Sequence, residues 1–159
     1  MLKYRRLTQE ELESLEDEFV KFLAAQSISA GDWQRIKSDD INRQEELIQV
    51  FSNIVLERVL SGIEYLEICT KNDLQIVKMK DHSAHMLGIK MDDDTVDLQD
   101  DDQLNELFSS VENVMRYHPK IYEHEKKYTK TRAEEAFFLI NLGAKVTDKL
   151  LYKKLTSLL

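Results

Sequence analysis

The sequence predicts an α+β fold, mainly α, with about six helices packed with a small antiparallel β-hairpin at residues 74–91. Three observations predict it. Apolar residues recur at helical spacing over most of the chain. The period switches to two between residues 74 and 91, then back. One Pro and four Gly leave too few turn residues for a sandwich or barrel. At 159 residues the chain is expected to form a single domain, 1–159. A chain of that size can bury roughly 68–70% of its unfolded surface and needs no disulfide or metal staple.

The opening, KYRRLTQEELESLEDEFVKFLA (residues 3–24), reads as a helix start. Thr8 and Glu11 have the spacing of a capping box, and Leu7 and Leu12 that of a hydrophobic staple. Leu12, Leu15, Phe19, Phe22 and Leu23 form one stripe of a helix from about Gln9 to Ala25. Ser29, with Asp32 three residues on, starts a short second helix with Trp33 and Ile36 on one face. SDD (38–40) supplies the next cap. Leu47, Ile48, Phe51, Ile54, Val55 and Val59 mark a third helix. Gly62 either ends it or sits inside it. Since Ile63 and Leu66 continue the stripe, the expected end is about Ile68.

Leu74, Ile76 and Lys78 then alternate with Gln75, Val77 and Met79, and Leu87, Ile89 and Met91 with Gly88 and Lys90. DHSAH (81–85) connects the two runs, and TVDL (95–98) is a candidate third strand. Asp100–Asp102 open a helix that buries Leu104, Leu107, Phe108, Val111, Val114 and Met115. His118–Pro119 ends it. Pro119 begins another helix carrying Tyr122, Ala133, Ala136, Phe137 and Ile140, closed by Gly143. Thr147 or Asp148 caps a last helix bearing Leu151, Leu155 and Leu158. The expected core is Leu15, Phe19, Phe22, Trp33, Phe51, Ile54, Val55, Phe108, Val111 and Phe137.

Chemistry-bearing motifs are sparse. No G-x-S-x-G elbow, phosphate-binding loop or dinucleotide fingerprint occurs. No catalytic residue and no cofactor is therefore expected. The acidic run MDDDTVDLQDDD (91–102) fits no register of a calcium loop. His82 and His85 form H-x-x-H on an expected turn, and Cys69 lies upstream, but a zinc site lacks further ligands. No metal is expected. One cysteine excludes an internal disulfide and suits a reducing cytoplasm. No apolar run approaches the ~18 residues of a membrane span, so a soluble protein without a membrane partner is expected.

Charge is the remaining signal. The net charge is −8, with nine acids and no Lys or Arg in residues 91–112, against ten bases and five acids in residues 116–159. Two segments of opposite sign suggest a protein partner, self-association or an internal clamp. The candidate interaction residues are Asp92, Asp93, Asp94, Asp97, Lys126, Lys127, Lys130 and Arg132. The leading expectation is a non-catalytic cytoplasmic interaction or accessory domain. One alternative is a metal-dependent hydrolase using His82, His85 and the acidic run. A second is a nucleic-acid-binding accessory using residues 117–132, where Tyr117, Tyr122 and Tyr128 interleave with Lys120, Lys126, Lys127, Lys130 and Arg132. The global negative charge disfavours nucleic acid.

The opening segment, DWQRIK (32–37), LIQVFSNIVLERVLSGIEYLE (47–67) and MLGIK (86–90) together resemble a small family of uncharacterised Bacteroidetes proteins, a domain of unknown function. The resemblance is strongest over residues 3–90. It implies a bacterial cytosolic origin and an accessory role, and it carries no functional residue onto this chain.

Overall fold

A computed structural model gives the fold and describes residues 1–92 and 94–159. The class is α+β, as the change of period predicts. The count differs: eight helices and a five-stranded antiparallel sheet among the described residues, in place of six helices and a hairpin. The chain divides into two compact units, Met1–Val59 and Leu60–Leu159.

The first unit holds α1 (Gln9–Ser14), α2 (Glu16–Ala25), α3 (Ala30–Asp39) and nearly all of α4 (Ile41–Ser61). The capping box forms: Glu11 N–H donates to Thr8 Oγ1 at 3.2 Å, and Thr8 N–H to Glu11 Oε2 at 2.9 Å. Ser29 and Asp32 make a second box, and Asp40 Oδ1 accepts from Arg43 N–H at 3.0 Å. The single helix expected over 9–25 is two. The Ser14 hydroxyl donates to the Glu11 carbonyl at 2.8 Å, and Leu15 leaves helical geometry at φ −108°, ψ 24°. A serine competing for a backbone carbonyl bends a helix in this way. The expected aromatics do meet, with Phe22 and Phe51 buried and Phe19 and Trp33 half-buried: Phe19 meets Trp33 and Phe51 edge-on at 5.1 and 5.0 Å between ring centres, and Phe22 lies 5.4 Å from Phe51. The α4 stripe is rotated. Leu47, Ile48, Phe51, Leu56 and Leu60 are buried, whereas Ile54 is 46% and Val59 57% exposed. Buried Ser52 lies on the inner face too, where its Oγ donates to the Ile48 carbonyl at 2.7 Å and accepts the Leu7 N–H at 3.0 Å.

The second unit carries β1 (Tyr65–Cys69), β2 (Asp73–Met79), β3 (Ser83–Lys90), α5 (Asp101–Leu107), α6 (Val111–Met115), β4 (Lys120–Lys127), α7 (Arg132–Asn141), β5 (Lys145–Thr147) and α8 (Lys149–Thr156). The strand order is β4-β3-β2-β1-β5. Leu74, Ile76, Leu87 and Ile89 share one face, where they pack with Leu107, Phe108, Val114 and Leu155 of the helical segments.

Several expectations need correction here. The long third helix stops at Ser61, and Tyr65–Cys69 is a strand, because Leu66 pairs with Val77 on one side and Val146 on the other. TVDL is not a strand: Asp97 folds back, its Oδ1 accepting Gln99 N–H at 2.9 Å. The helix opened by Asp100 splits at Ser109–Ser110, where Ser109 Oγ donates to the Glu106 carbonyl and Ser110 caps α6. Val111 and Met115 are consequently exposed. Residues 120–127 are strand β4, and the following helix starts only at Arg132, behind a Thr131–Glu134 capping box. Phe137 is half-buried, as are Phe19 and Trp33. Gly143 does close α7, at φ +105°, a conformation that glycine adopts without a Cβ penalty.

Candidate functional site

β4 is one of the two terminal strands of the sheet, β5 being the other. Its backbone pattern follows from its neighbours. Antiparallel partners alternate between pairs that exchange both hydrogen bonds and pairs that exchange none. Tyr128 N–H donates to the His82 carbonyl at 3.1 Å, in register with Ser83↔Lys127. The bonded pairs are therefore the alternate ones, Ala84 with Lys126, Met86 with His124, Gly88 with Tyr122 and Lys90 with Lys120. On the other side of β3, Lys80 N–H donates to the Ser83 carbonyl and Met91 N–H to Asn72, the complementary phase. Ile121, Glu123, Glu125 and Lys127 thus turn their N–H and C=O groups away from the sheet.

Side chains alternate likewise. On the face covered by the core cluster stand Ile121, Glu123, Glu125 and Lys127; on the opposite face stand Lys120, Tyr122, His124 and Lys126. The first face holds a carboxylate–imidazole–phenol chain. His85 lies 3.0 Å from Glu123 Oε2 through Nε2 and 2.6 Å from the Tyr152 hydroxyl through Nδ1. A carboxylate only accepts, so neutral His85 carries its proton on Nε2 and Nδ1 accepts from the phenol. Glu125 accepts from Ser83 Oγ at 3.0 Å and Lys80 Nζ at 3.2 Å. The Ser83 bond, then Lys80, hold its carboxyl below the usual range. Burial pushes the Tyr152 phenol upward, away from a phenolate at neutral pH.

On the opposite face the Tyr122 ring lies across Gly88. Its hydroxyl donates to Asp73 Oδ1 at 2.6 Å and accepts from Gln75 Nε2 at 3.0 Å. Tyr128 donates to the Lys80 carbonyl at 2.8 Å, and Tyr117 packs on the core. The three tyrosines that the nucleic-acid alternative would stack on bases are thus committed to the fold. Lys90 and Lys120 are direct cross-strand partners, both exposed. Among the described residues Lys120, His124 and Lys127 make no side-chain hydrogen bond or ion pair.

The structure separates the other expected site residues. Asp92 and Asp94 are exposed and Asp97 is half-exposed, after the Lys90 end of β3. Asp93 lies outside the described residues. Lys126, Lys127, Lys130 and Arg132 cluster beyond the Ser83 end, seven residues along the strand, or about 23 Å at ~3.3 Å per residue. Lys126 meets Glu135 at 3.5 Å and Arg132 meets Asp81 at 3.3 Å. Among the described residues no ion pair joins the acidic run to these bases. His82 sits in the β2–β3 turn, whereas His85 lies on β3 itself and not on a turn. The acidic run is at the far end, and no group of three or more His, Cys, Asp or Glu among the described residues is placed to hold a metal ion. The Cys69 thiol is pushed up to about 11, first by burial and then by Glu67, Asp97 and Asp73. It lines a cavity of ≈ 190 Å³ with Glu67, Gln99, Asp101 and Lys145.

Sequence reasoning missed Tyr152 and the strand under Glu123. One signal was present: T-x-x-E at 131–134 places a helix start after residue 130, which frees 120–127 to be something else.

The family model described as "Family of unknown function (DUF6495)" matches residues 1–159. No curated protein and no solved structure matches the chain.

Proposed function

This chain belongs to DUF6495, a family of unknown function, and we propose that it is a non-catalytic interaction domain holding a protein partner by strand addition to the outer edge of β4. One observation carries the reading. Eight residues at the sheet's terminal position keep four residues' backbone groups turned outward. Such an edge is a ready template for another strand. Its charged side chains oppose indiscriminate pairing and leave room for a complementary segment. The side chains that most resemble catalytic machinery support the same reading. His85 has both ring nitrogens engaged, and the Tyr152 phenol is held protonated. A cytoplasmic setting suits the single unpaired cysteine.

The test uses the whole chain as bait in three forms: unaltered, Glu123→Ala and Glu123→Pro. Proline at 123 removes an outward N–H and leaves the β3 bonds intact. The alanine form controls for the lost carboxylate. The reading expects a protein retained by the unaltered and alanine forms and lost with proline. A partner set identical across all three overturns it.

A further inference from the structure

We infer that a cavity walled by α5, α6 and residues 95–96 binds a small zwitterion, an α-amino acid with a short aliphatic side chain. None of its lining residues belongs to β4, so the site does not depend on strand addition there. The cavity measures ≈ 180 Å³, room for about six waters at ~30 Å³ each. Val96 and Leu107 give it a buried apolar wall. Glu106 of α5 and Arg116, which follows α6, bring opposite charges to the same cavity. They do not meet each other: among the described residues neither side chain makes a hydrogen bond or an ion pair. Arg116 is the first Lys or Arg after Lys90, with nine acids between them. Even in that acidic stretch its guanidinium is left to the cavity.

Open polar atoms accompany each charge. Gln103, also on the cavity wall, accepts the Asp97 N–H at 2.9 Å through Oε1, which leaves Nε2 as a donor. Asn113 donates through Nδ2 to the Glu106 carbonyl at 3.2 Å and to Ser109 Oγ at 2.8 Å, which leaves Oδ1 as an acceptor. A ligand carboxylate accepts from Arg116 and Gln103, and a ligand ammonium donates to Glu106 and Asn113. Val96 and Leu107 receive the few carbons of a short side chain. A dicarboxylate meets like charge at Glu106, and a diamine meets it at Arg116. Nucleotides need a larger site, of about 300 Å³ or more. The backbone beside the cavity is held in an uncommon state: His118, directly after Arg116 and Tyr117, has φ +49°. A left-handed non-glycine residue persists only where its surroundings fix it, and such residues gather at ligand sites.

The experiment is isothermal titration calorimetry of the whole chain with L-valine. Three comparison probes are isobutylamine, which is valine without its carboxylate, isovalerate, which is valine without its ammonium, and L-tryptophan, which is too large. The expected result is saturable, equimolar binding of L-valine. Isobutylamine and isovalerate should each bind more weakly by about tenfold or more, the effect of one charge-assisted hydrogen bond, and L-tryptophan should not bind. Arg116→Gln should weaken L-valine by a similar factor and lose the preference over isobutylamine. Glu106→Gln should do the same and lose the preference over isovalerate. Both side chains are exposed, so both variants should melt with the unaltered chain by circular dichroism. No saturable binding of L-valine overturns the proposal. Equal binding of L-valine, isobutylamine and isovalerate overturns the zwitterion, whatever the variants do. Binding of L-tryptophan as tight as that of L-valine, or L-valine binding unchanged in both variants, places the ligand elsewhere and overturns the site.

Discussion

Replacing Gly88 by alanine puts the packing of β4 on β3 to a direct test. A Cβ built on Gly88 falls 2.1 Å from Tyr122 Cζ and 2.4 and 2.6 Å from its Cε atoms. Ordinary contact is about 3.5–4.0 Å, so the ring must retreat by roughly 1.5 Å. It is not free to do so, because its hydroxyl is bonded to Asp73 and Gln75. Overpacking of this kind costs ~1–3 kcal/mol, and losing a hydrogen bond to a charged group ~1.5–3 kcal/mol. Relief of glycine's unfolded-state entropy returns ~0.4–1 kcal/mol. The expected net loss is about 2–5 kcal/mol, a drop in Tm of roughly 5–15 °C for a chain of this size. Urea and thermal unfolding followed by circular dichroism would measure it. The same substitution in a Tyr122→Ala background should cost less than ~0.5 kcal/mol, because the obstruction is gone. A loss below ~1 kcal/mol in the otherwise unaltered chain, or equal losses in both backgrounds, would refute the reasoning.

Three further outcomes are expected. Phe51→Ala should cost ~3–5 kcal/mol and Leu56→Ala ~2–5 kcal/mol in urea unfolding, while Ile54→Ala, at a half-exposed position, should stay near ~0.5 kcal/mol; the reverse order would show the α4 stripe misassigned. Arg5 first, then the Thr8 N–H, hold the Glu11 carboxyl below its usual range, so its folded-state value lies under the unfolded one. The stability it contributes is present above ~4.3 and lost as pH falls through the folded value; the difference in Tm between Glu11→Gln and the unaltered chain should close in acid, and a pH-independent difference contradicts the assignment. With its thiol pushed up to about 11, Cys69 should alkylate at pH 8 about 10²-fold more slowly than a free thiol, and reaction at the free-thiol rate would show that the thiol is neither buried nor held protonated by its acidic neighbours.

The sequence by itself determined what is settled within one turn of chain. Thr8 with Glu11, Ser29 with Asp32, SDD at 38–40, Asp100–Asp102 and Thr147 or Asp148 mark helix starts, and Thr8, Ser29, Asp40, Asp100 and Asp148 each cap one, because donor and acceptor lie within three residues. Period two at 74–79 and 87–91 was equally legible, since Leu74, Ile76, Leu87 and Ile89 line one face buried in the core cluster. What the tertiary structure decided is every element whose hydrogen bonds run to a distant strand. Residues 65–69 continue a helical stripe in sequence, yet they are held by Lys78–Leu74 on one side and Thr147–Lys145 on the other. Residues 120–127 carry the Glu–Lys spacing of a solvated helix, and only β3, some forty residues away in sequence, makes them a strand. Backbone pairing across that separation leaves no local signature. The candidate edge was thus visible as a run of charges and aromatics, and its outward backbone and two-faced charge emerged only with the register.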